Sequence, residues 1–298
     1  MEFQNDYETI NFIINELDNY KNIEYLYEIS SLNSKLPNLD FMYFIDIMYP
    51  YKFSSDILSN KILFGNSREV GHLSVNPELI FTDNYGNYLI MYNQKIYIPN
   101  NDYYFPVLYF NIEMHEQSPH NYNNYLHLLK DKINPNKQNI IVDCGSSEGI
   151  FEILVANRYD ISNILFVCID PEPLWNDSIS HTLDNLGANY LVINEMISKD
   201  NSLNDILSNH NLDFNDVICI KADIEGAEVD LIKNIKDYFI TNKPLNMICT
   251  YHNQDDAYDL YDIFKDYYQN IEFSKGYLLP IINEIKYPYF RKGLIITY

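Results

Sequence analysis

The chain has 298 residues, 42 acidic against 20 basic side chains, a formal charge of −22, and 47% apolar residues. At roughly 150 residues per domain, this length suits one large or two modest domains, either able to bury a core without disulfides or a structural metal. The charge argues against nucleic-acid binding, which needs a basic groove, and only Arg68, Arg158 and Arg291 supply arginine. Anionic membrane surfaces are disfavoured for the same reason, and no apolar run approaches the roughly 18 residues of a membrane span. The opening MEFQNDYETINF lacks the charged, apolar and small-residue succession of a signal peptide. Cys144, Cys168, Cys219 and Cys249 each lie in or at the end of a strand-like run without a C-x-x-C pair. Four reduced core thiols and a cytoplasmic location are therefore expected. The 28 tyrosines accompany an excess of Asn and Ile and read as compositional drift.

In chain order, Ile10, Ile13, Ile14, Leu17, Leu26 and Ile29 form a helical stripe within residues 7–32. Residues 39–48 and 56–63 read as further short helices. The stretch ELIFTDNYGNYLIMYNQKIYIP then alternates with period two about two Asn-containing turns, the pattern of a small antiparallel meander. From residue 120 strands and helices alternate. A helix at 121–132 precedes strand 140–144, helix 149–158, strand 164–169, helix 174–186 and strand 189–194. A short helix at 202–209 then precedes strand 217–222, helix 226–239, strand 245–250 and helix 255–268, with two more strands near 271–279 and 293–297. This order predicts an α/β fold, a doubly wound and mostly parallel Rossmann-like sheet covered on both faces, with a helical and β-meander extension in front.

Three motifs fall at strand ends. Val142-Asp143-Cys144-Gly145-Ser146-Ser147-Glu148-Gly149 follows the first strand of the alternating region and opens a helix, in a chain with only nine glycines. Glycine there lets a ligand approach the backbone, although G-x-x-x-G is not the G-x-G-x-x-G of a dinucleotide site. Asp143 either accepts hydrogen bonds from a ligand ammonium or orders the loop. Asp170 ends the next strand, about 25 residues beyond the loop, where a carboxylate can take both hydroxyls of a ribose; before Pro171 it can also anchor a helix start. In Ile220-Lys221-Ala222-Asp223-Ile224-Glu225-Gly226-Ala227-Glu228, Asp223 and Glu225 leave a strand on the same side of a turn. Such a pair can hold a cationic ligand, bind a divalent ion or act as a base. Acids favoured by a helix dipole are the structural alternative, which suits Glu228.

Together these motifs resemble class I S-adenosylmethionine-dependent methyltransferases, and more narrowly the FkbM family. VDCGSSEG looks like that family's D-x-G-A-N-x-G loop, and IKADIEGAEVDLIK is close to its K-x-D-x-E-G-A-E signature. Leu203-Asn204-Asp205-Ile206 is similar to the "LDD-hydrophobic" stretch before it. The resemblance spans about residues 110–298, with a fainter match over 79–98. Ser147 stands where the family usually has Asn, and Asp170 where it has Glu. Thr250 replaces the Glu of a Glu-x-His element at the next strand end, whose His is His252.

The resemblance implies a seven-stranded catalytic domain over 111–298 and an extension over 1–110 that forms an acceptor wall or a homodimer contact. It implies S-adenosyl-L-methionine as cofactor, held by Gly145, Ser146, Ser147 and Gly149, with the ammonium on Asp143 or Asp223. Asp170 would take the ribose, and Met196 would pack on adenine. It also implies an O-methyltransferase acting on a hydroxyl of a sugar (nucleotide-linked, capsular or lipopolysaccharide). His252, as a neutral imidazole, would take the hydroxyl proton together with Glu225 and Asp223. His115, Glu116 and His120 in MHEQSPH are acceptor contacts if the extension closes over the site, and ordinary loop residues otherwise. A metal-free site is expected; Asp223, Glu225 and His252 are the set that would hold a divalent ion. The remaining alternatives are a secondary-metabolite or nitrogen acceptor, and a non-catalytic cofactor-binding module. A dehydrogenase is disfavoured by the missing G-x-G-x-x-G. An anionic nucleotide-sugar would need lysines, or Arg68 and Arg291, near the pocket mouth.

Overall fold

A computed structural model of the chain describes residues 62–65, 80–99, 121–253, 255–274, 277–280 and 292–298. The expected helices within 7–32 and 39–48 lie outside these residues. The expected helix over 56–63 ends in what is a strand, β1 (Ile62–Gly65), so short an apolar run serving either structure. Strand β1 pairs in parallel with β11 (Tyr277–Pro280) as a separate two-stranded sheet.

The meander is present as β2 (Phe81–Asp83), β3 (Gly86–Met91) and β4 (Gln94–Ile98), all antiparallel. Tyr92 and Asn93 both have positive φ (50° and 64°), the conformation that turns a two-residue hairpin with the right twist.

The main sheet contains β5 (Asn139–Cys144), β6 (Ile164–Ile169), β7 (Asn189–Ile193), β8 (Val217–Ala222), β9 (Leu245–Cys249), β10 (Ile271–Phe273) and β12 (Leu294–Thr297). Its order is β10-β12-β9-β8-β5-β6-β7. Six strands run in parallel, and β12 is antiparallel to both neighbours. This is the doubly wound, mostly parallel seven-stranded sheet that the alternation predicts. Strand β5 is buried along its whole length, as is β8, which is why both read as near-continuous apolar runs.

The faces divide by strand parity. Ile141, Cys168, Cys219, Met247 and Leu294 pack with helix α1 (Ile150–Ala156) and helix α2 (Leu174–Leu186). Val142, Val167, Ile220, Ile248 and Ile295 pack with α3 (Leu203–Asn209), α4 (Glu228–Ile235) and α5 (Asp256–Phe264). The meander joins the first face. Leu89, Met91, Ile96 and Ile98 share its core, and the Tyr97 amide donates to Thr182 Oγ1 of α2 at 2.9 Å. All four cysteines are buried free thiols. Among the described residues, no helix is long and apolar enough to cross a membrane.

Three expected elements differ. Residues 121–132 form two 3-10 turns, Tyr122–Asn124 and Leu126–Asp131, instead of one α-helix. Asn121 accepts the Asn123 amide on its side chain, a local bond that competes with helical pairing. Helix α4 starts at Glu228 because Glu225 (φ 54°) and Gly226 (φ 103°) hold left-handed conformations before it, and it ends in a 3-10 turn, Lys236–Ile240. The strand expected over 271–279 breaks at Ser274, whose backbone closes the pairing with Leu294.

Because β5 and β8 are neighbours whose crossovers lead to opposite sides, the sheet has its topological switch point there, and ligands of such folds bind at that carboxyl edge. Two glycines with similar φ separate close approach from conformation. A Cβ on Gly145 (φ +78°) would lie 1.9 Å from the Asp223 carbonyl oxygen, whereas one on Gly187 (φ +70°) would meet nothing within 4 Å. Gly187→Ala is therefore expected to cost about 1 kcal/mol, and Gly145→Ala at least about 3 kcal/mol because the β5 and β8 ends must part. Urea unfolding midpoints of the two variants measure the difference.

Candidate active site at the carboxyl edge

Strand parity places Asp143 on the α1 face of β5, not on the edge of the sheet. Its Cα partner across the ladder is Lys221 of β8, and Lys221 Nζ lies 2.8 Å from Asp143 Oδ1. The same ammonium donates to the Gly145 carbonyl at 2.6 Å and sits 5.6 Å from the centroid of the Tyr122 ring. One buried charge thus ties β5, β8 and the first residue of the glycine loop. Glu152 of α1 is buried beside them. Burial first, then the Asp143 charge, pushes Glu152 well above the usual carboxylate range, and it accepts from the Cys168 thiol. Burial raises Asp143 too, while the Lys221 ammonium pulls it down.

Above this pair the loop is fixed by its backbone. The Gly145 amide donates to Ile169 O at 2.7 Å, and the Asp223 amide to Cys144 O at 2.9 Å. Ser147 adopts φ 46°, and its amide donates to Asp170 Oδ2 at 3.1 Å. The other Asp170 oxygen accepts the Glu172 amide at 3.0 Å. Asp170 is only 7% exposed, and burial raises its carboxyl. Glu148 is buried within the loop, and burial pushes its carboxyl up to about 7. Gly149 (φ +86°) starts α1, and a Cβ there would be in tight contact with Thr182 and Ile179.

Beyond β8 and β9 the turn is organised by Glu228. Its carboxylate accepts the amides of Ile224 (2.8 Å) and Gly226 (3.0 Å), and it is 2.8 Å from His252 Nδ1. The other face of the imidazole, Nε2, lies 3.3 Å from Asp223 Oδ1 and 3.7 Å from Glu225 Oε2. The Tyr251 hydroxyl contacts both Asp223 oxygens, at 3.1 and 3.3 Å, and its ring lies against His252. The Asp223 side chain is 18% exposed, Glu225 is 82% exposed, and the His252 side chain only 5%.

This environment corrects the role expected of His252. Burial alone would lower its pKa, but the Glu228 hydrogen bond and the Asp223, Glu228 and Glu225 charges raise it to about 9. At neutral pH the ring is an imidazolium, a donor and not the neutral base read from the sequence. At the start of α5, Asp256 accepts the Asn253 amide.

Gly145, Ser146, Ser147, Gly149 and Asp170 do come together around one loop, and Ser146 is buried. Met196 is 66% exposed in the loop after β7. Asp143 is 1% exposed and faces Lys221, so a ligand resting on the loop would not touch it. Thr250 donates its hydroxyl to the Lys292 carbonyl at 2.7 Å. His115, Glu116, His120, Arg68 and Arg291 lie outside the described residues. Sequence reasoning missed Lys221, Tyr251 and Glu228 as working parts of the edge, though Lys221 and Glu228 sit in the signature itself. It also missed Lys292, half-buried just before β12, donating to Ser274 O at 3.1 Å and lowered to about 8 by desolvation.

No family model matches the chain, and no curated protein matches it. Solved structures to which the chain is similar include several methyltransferases. Methyltransferase FkbM from Methylobacillus flagellatus KT shares 18% identity over 65% of this chain and 53% of its own, with a TM-score of 0.41. This chain thus spans about half the length of that protein. Precorrin-6y C5,15-methyltransferase from Geobacter metallireducens GS-15 shares 10% identity over 62% and 90%, with a TM-score of 0.41. The METTL16 MTase domain shares 12% over 78% and 91%, with a TM-score of 0.44. At these identities the chemistry rests on the site's own residues.

Two outcomes test this electrostatic arrangement. Lys221→Met leaves a buried carboxylate uncompensated and is expected to cost about 3–5 kcal/mol, most of it regained in the Asp143→Leu/Lys221→Met pair; chemical unfolding of both reads this out. Glu148 has a folded pKa of about 7 against an ordinary 4.5, so the folded state keeps its proton longer than the unfolded state. Its contribution to stability is therefore lost as pH rises from about 4.5 to about 7, by roughly 3 kcal/mol. Glu148→Gln should match the wild type near pH 4.5 and exceed it in unfolding free energy above pH 7.

Proposed function

We propose that the chain is an S-adenosylmethionine-dependent O-methyltransferase that methylates a hydroxyl of a sugar. The supporting observation is the run of groups at the carboxyl ends of adjacent strands. The glycine loop follows β5, Asp170 follows β6, Asp223 follows β8 and His252 follows β9. A cofactor carrying a cation and a ribose diol fits such an edge. Asp170 has one amide on each oxygen and so keeps lone pairs for a diol. Ser146 Oγ is buried with no hydrogen-bond partner among the described residues, a polar atom left for a ligand. Gly145, Ser146, Ser147 and Gly149 would form the floor, Asp170 would take the ribose, and Asp223 would answer the ammonium.

When bound, the cofactor supplies a methyl group on a sulfonium. What the chain contributes is alignment and disposal of one proton. Since His252 is cationic at neutral pH and Asp223 answers the ammonium, the proton acceptor is the exposed Glu225 carboxylate. Tyr251 donates its hydroxyl to Asp223, His252 lies beside the same carboxylate at 3.3 Å, and the imidazolium stabilises negative charge developing on the acceptor oxygen. The site's acids balance a positively charged cofactor, whereas they would repel the dinucleotide of a dehydrogenase.

Calorimetry is expected to give one S-adenosylmethionine site per chain, weakened at least about tenfold by Asp170→Asn, whose amide cannot accept from two backbone amides and a diol as the carboxylate does. NAD should not bind. Radiolabel should pass from cofactor to a member of a panel of nucleotide-linked and free sugars. Absence of cofactor binding at millimolar concentration would remove the enzymatic reading, and binding without transfer to any sugar would remove the acceptor class.

A further inference from the structure

The turn after β8 holds a backbone conformation that its sequence does not favour. Glu225 has φ 54° and Gly226 φ 103°. Glycine adopts such values freely, but a glutamate there crowds its Cβ against a carbonyl oxygen. Strain of this kind persists only where the surroundings impose it. Three bonds do so here. Glu228 accepts the Ile224 amide at 2.8 Å and the Gly226 amide at 3.0 Å, and the Asn253 carboxamide donates to the Gly226 carbonyl at 2.9 Å. Asn253 also lies over the glycine itself, since a Cβ on Gly226 would come 2.9 Å from its Nδ2. Its own place is fixed from α5, where the buried Asp256 carboxylate accepts the Asn253 amide at 2.6 Å. A line of contacts thus runs from the start of α5 through Asn253 to the turn after β8.

These bonds fix the backbone on both sides of Glu225 and leave its side chain 82% exposed. An exposed carboxylate has little packing to aim it. What brings its Oε2 to 3.7 Å from His252 Nε2 is the turn beneath it. A negative φ at Glu225 would redirect the Cα–Cβ bond and carry the carboxylate off the ring. From this we infer that Asn253 is a positioning residue, whose carboxamide latches the Glu225–Gly226 turn and so aims the Glu225 carboxylate. The inference rests on the proposed methyl transfer, in which Glu225 takes the acceptor proton. Asn253 does this from the exposed side of the turn, so it can be changed without opening the core. Aspartate at 253 keeps the shape of the side chain but has no donor, and it sets a charge against the Gly226 carbonyl.

Backbone order parameters from ¹⁵N relaxation of the full chain test the latch without using activity. At Glu225 and Gly226 they are expected to fall from about 0.85 to below about 0.6 in Asn253→Ala and Asn253→Asp, with Ile220 and Ala222 of β8 unchanged. Wild-type values at both residues in the folded variants overturn the proposal. Turnover of the acceptor found with the radiolabel panel tests the consequence. In both variants kcat should fall about 10–100-fold, with KM and the calorimetric affinity for S-adenosylmethionine unchanged. Glu225→Gln/Asn253→Ala should be no slower than Glu225→Gln alone. An additive loss in the double variant, or cofactor affinity lost along with kcat, makes Asn253 a structural contact and overturns its positioning role. A wild-type chain that binds no cofactor defeats the methyl-transfer reading, while the order parameters still decide the latch.

Discussion

A single buried ammonium organises the functional edge. Lys221 Nζ is shared between the Asp143 carboxylate and the Gly145 carbonyl, so the two central strands and the loop above them cannot move independently. Such a pair contributes little net stability against an apolar replacement, because desolvating two charges offsets most of their attraction. Its consequence is geometric. With Gly145 drawn against the β8 end, only glycine fits there, the loop turns outward at Ser147, and Asp170 can receive that loop's amide. We take specification of this geometry to be the reason the charges are kept.

The acids of the edge divide into those consumed by the fold and those left for chemistry. Asp143 is spent on Lys221, Glu152 is buried beside them with the Cys168 thiol donating to it, and Glu228 is spent on two amides and an imidazole. Asp170 is half committed, with an amide on each oxygen. Asp223 and Glu225 retain the most solvent access, and both look onto His252 Nε2. The net charge of −22 is thus not spread featurelessly: at this edge it is graded from buried and neutralised to exposed and available.

Much of the fold was legible because strands buried on both faces are written as unbroken apolar runs. Strand 164–169, helix 174–186 and strand 217–222 coincide with the observed elements. The 3-10 turns near residue 122 were not legible from hydrophobic spacing, since that pattern does not register an Asn side chain capturing a backbone amide. For the site, strand-end position located the loop, Asp170, Asp223 and His252, but orientation within a strand was overlooked. Asp143 shares parity with Ile141 and therefore points into the α1 face, as does its partner Lys221 with Cys219. The charge state of His252 could not be read from Thr-Tyr-His alone. It depends on Glu228, which reaches the ring only because Glu225 and Gly226 adopt left-handed conformations.

The central claim is that the β5–β8 switch point is a cofactor site with the ribose on Asp170. A crystal structure with S-adenosylhomocysteine addresses it most directly. The account predicts the nucleoside lying across the loop from Gly145 to Gly149, with both ribose hydroxyls on the Asp170 carboxylate and the amino acid end toward Asp223. A nucleoside bound elsewhere, or bound here with Asp170 making only its two backbone contacts, would contradict it.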